Sequence, residues 1–312
     1  MAKKLLRRLK ASSACLATLT LSVVLGGCGT TEDPVPDEGA DTEEVVNIGV
    51  ALSSPGLASG SDPLETSGAE IALAQAIVAE LDTINPEAQV RWVPLSAAND
   101  SIPAIQDGEM EFMLGQLSES QLTDQLAWVG PYATTKSALL VRQTADETQN
   151  LRTSIEPLES VTSAADLAEA PVCVVANSAA AAIELPIEDV TVQQTADECE
   201  VGMRSGRFEA IAADDIQLAG VLRDPSLAST YELLPWSDIA AEEDVEIPDE
   251  LLATHQYWIG TDPARCDALS QALRTVVTQG ALSEAFEGWE ETTGFEPEIS
   301  TASELMTKHC PS

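Results

Sequence analysis

Residues 45–51 read VVNIGVA, residues 68–81 read GAEIALAQAIVAEL and residues 89–94 read QVRWVP. The first and last are short runs rich in β-branched residues, which predicts strands. In the middle stretch Ile71, Ala74, Ile77, Val78 and Leu81 recur at helical spacing, which predicts an amphipathic helix. Ser53-Ser54-Pro55-Gly56 breaks the first strand. Ser101–Asp107 predicts a short helix stopped by Gly108, and Glu111–Leu114 a third strand. Strand, helix, strand, helix, strand is the order of an open, mainly parallel sheet with helices on its faces.

The order then repeats. Ala164–Ala168 predicts a short helix, Val172–Ala176 a buried strand and Ser178–Glu184 a helix. Val190–Gln193 predicts a strand, Asp197–Ser205 a helix closed by Gly206, Glu209–Ala213 a strand and Ile216–Arg223 a helix. A crossover between the halves is expected near Tyr132–Arg142, a return strand at Gln256–Gly260, and helices at Cys266–Thr278 and Ser283–Trp289. Two open α/β halves leave a cleft at the carboxyl ends of their strands, a natural place for a ligand.

The chain has 312 residues, with 52 acids against 15 bases and a net charge of -37. That argues against nucleic acid, because phosphate neutralisation needs clustered Lys and Arg. It also argues against electrostatic docking on anionic lipid. High net charge is one mark of disorder, but 44% of the residues are hydrophobic, enough for a core. The length suits one large or two ordinary domains.

Five of the bases (Lys3, Lys4, Arg7, Arg8, Lys10) stand in the first ten residues, ahead of an apolar run over Ala14–Leu25. A basic start, a short apolar run and small residues at its end read as a secretory signal over residues 1–27. The run is too short for a spanning helix. Its removal takes the charge to -42. Leu25-Gly26-Gly27-Cys28 resembles the lipobox of bacterial lipoproteins, which implies that Cys28 is lipidated and becomes the first residue. Residues 28–45 then form an acidic disordered tether, since Gly29–Glu44 holds one Val among acids, Pro, Gly and Thr.

Beyond the leader four cysteines remain, Cys173, Cys199, Cys266 and Cys310. Outside the cytosol an even number suggests disulfides, and four cysteines allow three connectivities. Pairing neighbours closes the shortest loops. No C-x-x-C or Cys/His cluster points to a metal, and no cofactor is expected.

The order of landmarks resembles a family. Ile48-Gly49-Val50, Pro55-Gly56-Leu57, Ser67-Gly68-Ala69-Glu70, Ile102-Pro103-Ala104-Ile105-Gln106-Asp107-Gly108 and Trp128-Val129-Gly130-Pro131-Tyr132 occur in sequence. Ser205-Gly206-Arg207-Phe208-Glu209-Ala210, Asp214-Asp215-Ile216-Gln217-Leu218-Ala219-Gly220, then Tyr257 and Gly260, follow. Over roughly 47–293 this resembles the extracytoplasmic solute-binding proteins of amino-acid ABC transporters, family 3, and within them the glutamate/glutamine-type lipoproteins of actinobacteria. The resemblance implies a periplasmic-binding-protein type 2 fold of two α/β lobes joined by two hinge strands. Lobe 1 would be 46–136 and 257–312, and lobe 2 would be 137–256. It also implies a bridge between Cys173 and Cys199.

The ligand set implied is Ser53, Gln116, Glu119, Asn177, Ser178, Asp214 and Trp258, with Asp214 matching the carboxylate that pairs with a ligand ammonium. Asp214 also reads as a helix N-cap before Ile216, and Trp128 and Trp258 as core residues, a cleft floor or a platform for a cation. The family's carboxylate-clamping arginine, a planar fork that fits a carboxylate bidentately, falls on Leu122. A second arginine falls on Ser101, and no Lys or Arg occurs between Trp92 and Thr135. With acids kept and bases lost, a cationic or zwitterionic solute is the better electrostatic match.

The function expected is a monomeric lipoprotein, anchored to the cell membrane on its extracytoplasmic face. It would capture a polar amino acid or related amine and deliver it to ABC permease subunits. The alternative is a diverged binding domain that acts as a sensor or as partner of a membrane protein. No Ser/His/Asp or Cys/His set points to an enzyme.

Overall fold

The structure is a computed structural model. It describes residues 45–60, 65–81, 83–85, 88–95, 101–117, 122–143, 161, 163–176, 178–239 and 245–311, with backbone only at 116–117. The leader, Cys28, the tether up to Glu44, Glu119 and Asn177 lie outside the described residues, and Val45, the last residue expected in the tether, opens the first strand.

The first half comprises β1 (Val45–Val50), the short pair β2 (Ser53–Ser54) and β3 (Ala58–Ser59), α1 (Ala69–Glu80), β4 (Gln89–Pro94), α2 (Ile102–Gln106) and β5 (Phe112–Leu117). β6 (Ala127–Arg142) leads into the second half. There follow β7 (Val172–Val175), β8 (Val190–Gln193), α3 (Ala196–Arg204), β9 (Ala210–Asp214), α4 (Asp215–Val221), α5 (Pro225–Ala228) and β10 (Tyr231–Pro235). After α6 (Asp249–Leu252), β11 (Thr254–Thr261) returns to the first half. It is followed by α7 (Cys266–Gln279), α8 (Ala281–Ala285), α9 (Trp289–Thr293), β12 (Glu298–Ile299) and β13 (Met306–Lys308).

The sheet runs β4-β1-β5-β11-β6-β9-β7-β8, with β10, β12 and β13 also pairing β6. Parallel pairs build each half, β4-β1-β5 in one and β9-β7-β8 in the other. The antiparallel pairs sit where the chain passes between halves. β6 pairs β11 from Lys136 back to Ala127 and β9 from Ser137 to Val141. One strand thus enters both halves, and β11 is the second link. This is the two-lobed α/β architecture that the sequence predicts.

Each half has its own apolar core. In the first, Ile71, Leu73, Ala74 and Ile77 of α1 pack with Leu269, Leu273 and Val276 of α7 and with Ile48 and Ile259 of the sheet. In the second, Cys173, Cys199, Met203 and Ile211 lie on one face of β7 and β9, while Val172, Val174, Ala212 and Trp236 lie on the other. The alternation along β7 explains why its run VCVV is apolar throughout: both faces are covered.

Cys173 bonds to Cys199 and Cys266 to Cys310, with Cα separations of 5.6 and 5.8 Å. Of the three connectivities, the structure has the neighbour pairing. The first bridge ties α3 to β7, and the second ties the last residues to the start of α7.

Three predicted helices take a different form. Ala164–Ala168 becomes a 3-10 turn over Ala164–Leu167. Ser178–Glu184 becomes a single 3-10 turn over Ala179–Ala182, ended by Ile183 in extended geometry. Ser283–Trp289 is divided: α8 ends at Ala285, capped by Phe286, and α9 begins after Gly288, whose φ of 72° is left-handed.

Candidate ligand cleft

The loop after β1 and the helix after β9 meet between the halves. Pro55 and Gly56 turn the loop back, and the N–H groups of Ala69 and Glu70 donate to the carbonyls of Gly56 and Leu57, each at 2.9 Å. The free donors at the start of α1 are therefore spent on the loop. Gly68, at φ 132°, allows this, since a Cβ there would strike the Leu57 carbonyl. Opposite the loop stands α4. Its Ile216 and Ala219 belong to the core of the first half, and Leu218, Val221 and Leu222 to that of the second. At Gly220 the Pro55 carbonyl occupies the space a side chain would need.

Asp214 ends β9 and precedes α4. It is fully buried. Oδ1 accepts from the N–H of Ala179 at 3.1 Å, and Oδ2 has no hydrogen-bond partner among the described residues. Its side chain does not cap α4, so the N-cap reading accounts for its backbone position but not for its carboxylate. Burial pushes its carboxyl up to about 8, with Asp215 adding to the rise and the Ala179 bond opposing it. The empty group is therefore a neutral acid near pH 7. An arriving ammonium would favour its ionised form and be held by it.

The surroundings of Asp214 are polar and buried. Ser137, its register partner on β6, is buried, and its Oγ has no partner among the described residues. Tyr257 on β11 is buried, and its Oη is likewise unpartnered. Burial raises its phenol well above 10, as do the charges of Asp214, Glu70 and Asp215. Thr135 Oγ1 donates to Asp215 Oδ1 at 2.5 Å. Tyr132 Oη donates to Glu70 Oε1 at 2.5 Å, and burial pushes the Glu70 carboxyl up to about 7. Buried acids thus approach the two linking strands from both halves.

The structure places the predicted ligand residues unevenly. Ser53 is half-buried in β2, at the mouth of the Pro55 loop. Ser178 adjoins the 3-10 turn, and its Oγ donates back to the Val175 carbonyl at 2.7 Å. The N–H of Ala179, at the start of that turn, is already bonded to Asp214. Gln116 lies on β5 opposite Tyr257. Trp258 is buried in a cluster with Ile102, Ile105, Met113 and Trp128. The cation over its ring, at 4.9 Å, is Lys308 of the same chain.

Leu122 belongs to that same cluster and is 8% exposed. The position where the resemblance implies a carboxylate-binding arginine is thus occupied by a core leucine. Arg91, just before the base-free stretch, donates from Nε to Asn47 at 2.7 Å and is exposed on β4.

Sequence reasoning missed Glu70, Tyr132, Tyr257, Thr135 and Asp215 as a polar group. The available signal was that Glu70, although first-turn on α1, falls beside the apolar positions Ile71 and Ala74.

No family model matches the chain, and no curated protein does. Solved structures do. An ancestral arginine-binding protein bound to glutamine is 20% identical, with 78% of this chain and 97% of that one covered, at a TM-score of 0.52. A substrate-binding protein of an ABC uptake transporter from Streptococcus pneumoniae, bound to histidine, is 13% identical, covering 82% and 95%, at 0.56. A cysteine-binding protein from Campylobacter jejuni is 16% identical, covering 84% and 94%, at 0.58. At these identities the likeness is one of fold: the chain has the two-lobed fold of these amino-acid-binding proteins.

Proposed function

We propose that this chain is an extracytoplasmic solute-binding protein that closes two lobes on a small cationic or zwitterionic amine and presents it to an ABC importer. Lobe 1 is 46–136 with 257–312, and lobe 2 is 137–256. Cys28 carries the lipid anchor, and residues 28–44 hold the body off the membrane. In this reading the chain is a diverged relative of the actinobacterial glutamate/glutamine-type lipoproteins and is not an enzyme.

One observation carries the ligand class. Asp214 is fully buried with Oδ2 unpartnered among the described residues, while the position where the resemblance implies an arginine is the core residue Leu122. Burying a lone carboxylate is costly unless it is paired, so the site favours a ligand that brings the cation. A ligand with a free carboxylate gains no guanidinium fork at Leu122. Closure on such a ligand is a hinge motion driven by its higher affinity for the closed form.

The test is a thermal-shift screen of the protein against standard amino acids, polyamines and betaines. Stabilisation by an amine beyond that by glutamate supports the reading. Stabilisation by glutamate alone contradicts the ligand class, and silence across the panel contradicts solute capture.

A further inference from the structure

Asp214 is the last residue of β9, and Ser137 is its partner across the antiparallel pair with β6. Directly opposed residues point to the same face of a sheet, with Cβ atoms about 5 Å apart. On this face Leu139 and Val141 of β6 pack with Ala210 and Ala212 of β9 and with Ala180. The turn Ala179–Ala182 begins at the Asp214 end of it, where the Ala179 N–H donates to Asp214 Oδ1 at 3.1 Å.

Both side chains are enclosed: Asp214 is fully buried and Ser137 is 1% exposed. Yet Asp214 Oδ2 and Ser137 Oγ each have no hydrogen-bond partner among the described residues, so they do not bond to one another either. Neighbouring hydroxyls are spent. Thr135 Oγ1, two residues back along β6, donates to Asp215 Oδ1 at 2.5 Å, and Ser178 Oγ donates to the Val175 carbonyl at 2.7 Å. A buried polar atom left unpaired weakens a fold, so two of them side by side mark a place for a group that the chain itself does not supply. An ionised carboxylate only accepts, and a hydroxyl can accept beside it. A cation with two N–H bonds to give satisfies both oxygens and the acid's charge together.

We propose that Ser137 is a specificity-determining residue of this site: its Oγ accepts one N–H of a ligand ammonium whose second N–H goes to Asp214 Oδ2. The site therefore takes primary and secondary ammonium groups and discriminates against tertiary and quaternary ones, although all carry the same charge. The inference rests on the amine reading of Asp214 and narrows it, since a trimethylammonium group has no N–H to give to either oxygen.

The probes are four monocations: n-butylamine, its N-methyl and N,N-dimethyl derivatives, and butyltrimethylammonium. Each is titrated into the full chain at pH 7, and the rise of the unfolding temperature with concentration gives its affinity. The expected result is near-equal binding of the first two, a drop of about tenfold at the dimethyl compound and a further drop of about tenfold at the quaternary one. Ser137→Ala should weaken the first two about tenfold and leave the dimethyl compound unchanged, so that only the last step remains. Ser137→Thr, which keeps the hydroxyl, should restore the native pattern. Without ligand, Ser137→Ala should unfold no earlier than the native chain, because its hydroxyl has no bond to lose. Crowding alone would instead let Ser137→Ala, with its smaller side chain, bind the dimethyl compound more tightly, and that result overturns the proposal. Equal binding of all four by the native chain also overturns it, while the amine reading of Asp214 stands. So does a lower unfolding temperature of ligand-free Ser137→Ala, which would mean that a buried water or the chain itself already uses the hydroxyl. Binding of none of the four removes the amine reading, and this inference with it.

Discussion

Tyr132 holds Glu70: its Oη donates to Oε1 at 2.5 Å, joining the first turn of α1 to β6, and both residues are buried. The bond leaves the carboxyl raised, because burial outweighs it. The folded chain therefore keeps a proton that the unfolded chain releases, from the ordinary glutamate value of 4.5 up to about 7. Across that window stability falls as pH rises, by on the order of 3 kcal/mol from this group. Denaturant unfolding at pH 5 and pH 8 should show the loss, and Glu70→Gln should remove this group's share of it. An unchanged pH slope in Glu70→Gln would disprove the assignment.

Tyr132→Phe leaves the Glu70 carboxyl buried without its donor. A destabilisation of about 1–3 kcal/mol is expected, larger at pH 8 than at pH 5, since the charged form loses more. No loss at either value would mean that the ring's packing against Tyr257, 5.8 Å away between centroids, which phenylalanine keeps, is all that the tyrosine contributes.

Gly220→Ala tests the contact between the halves. A methyl there meets the Pro55 carbonyl, so α4 and the loop must separate. The variant should keep its secondary structure, lose about 1–3 kcal/mol of stability and scatter X-rays with a larger radius of gyration. An unchanged radius and stability would show that the loop gives way freely.

Reduction of the two disulfides reopens loops that span 26 and 44 residues. In the chain-entropy account each closure contributes about 3.5–4 kcal/mol. Cys173→Ala with Cys199→Ala should lower the unfolding midpoint and speed amide exchange in α3 before it does so in α1. Loss of protection in α1 first would contradict the local role of the bridge.

Much of the fold was legible because its elements are strongly periodic. β4 and β8 fall where their alternating residues put them, and α1 and α7 where Ile71–Ile77 and Leu269–Val276 mark a buried stripe. β6 was legible as a crossover but not as one sixteen-residue strand, because Gly130-Pro131 and Thr134-Thr135-Lys136 interrupt its apolar run. β12 and β13 are too short to carry a period. In the candidate site, Asp214 was singled out by the family resemblance; its place between strand and helix alone reads as an N-cap. Glu70 was not: a first-turn acid reads as a solvated helix start, and only the tertiary fold brings Tyr132 to it. Trp258 reads in sequence as a core residue, a cleft floor or a platform for a cation; it lies in a core cluster, and the cation that meets it comes from β13, a partner that local sequence does not reveal.

Asp214 remains the group on which the account turns. Because its carboxyl sits near 8 when the site is empty, an ammonium that pairs with it must displace a proton. Calorimetric titration with lysine, putrescine and glutamate, in two buffers of different ionisation enthalpy at pH 7, measures affinity and proton release together. The account predicts that an amine binds more tightly than glutamate and releases a proton. It also predicts that Asp214→Asn weakens this binding by about 100-fold or more and abolishes the release. Glutamate binding that is tighter than amine binding and unchanged in Asp214→Asn would contradict it.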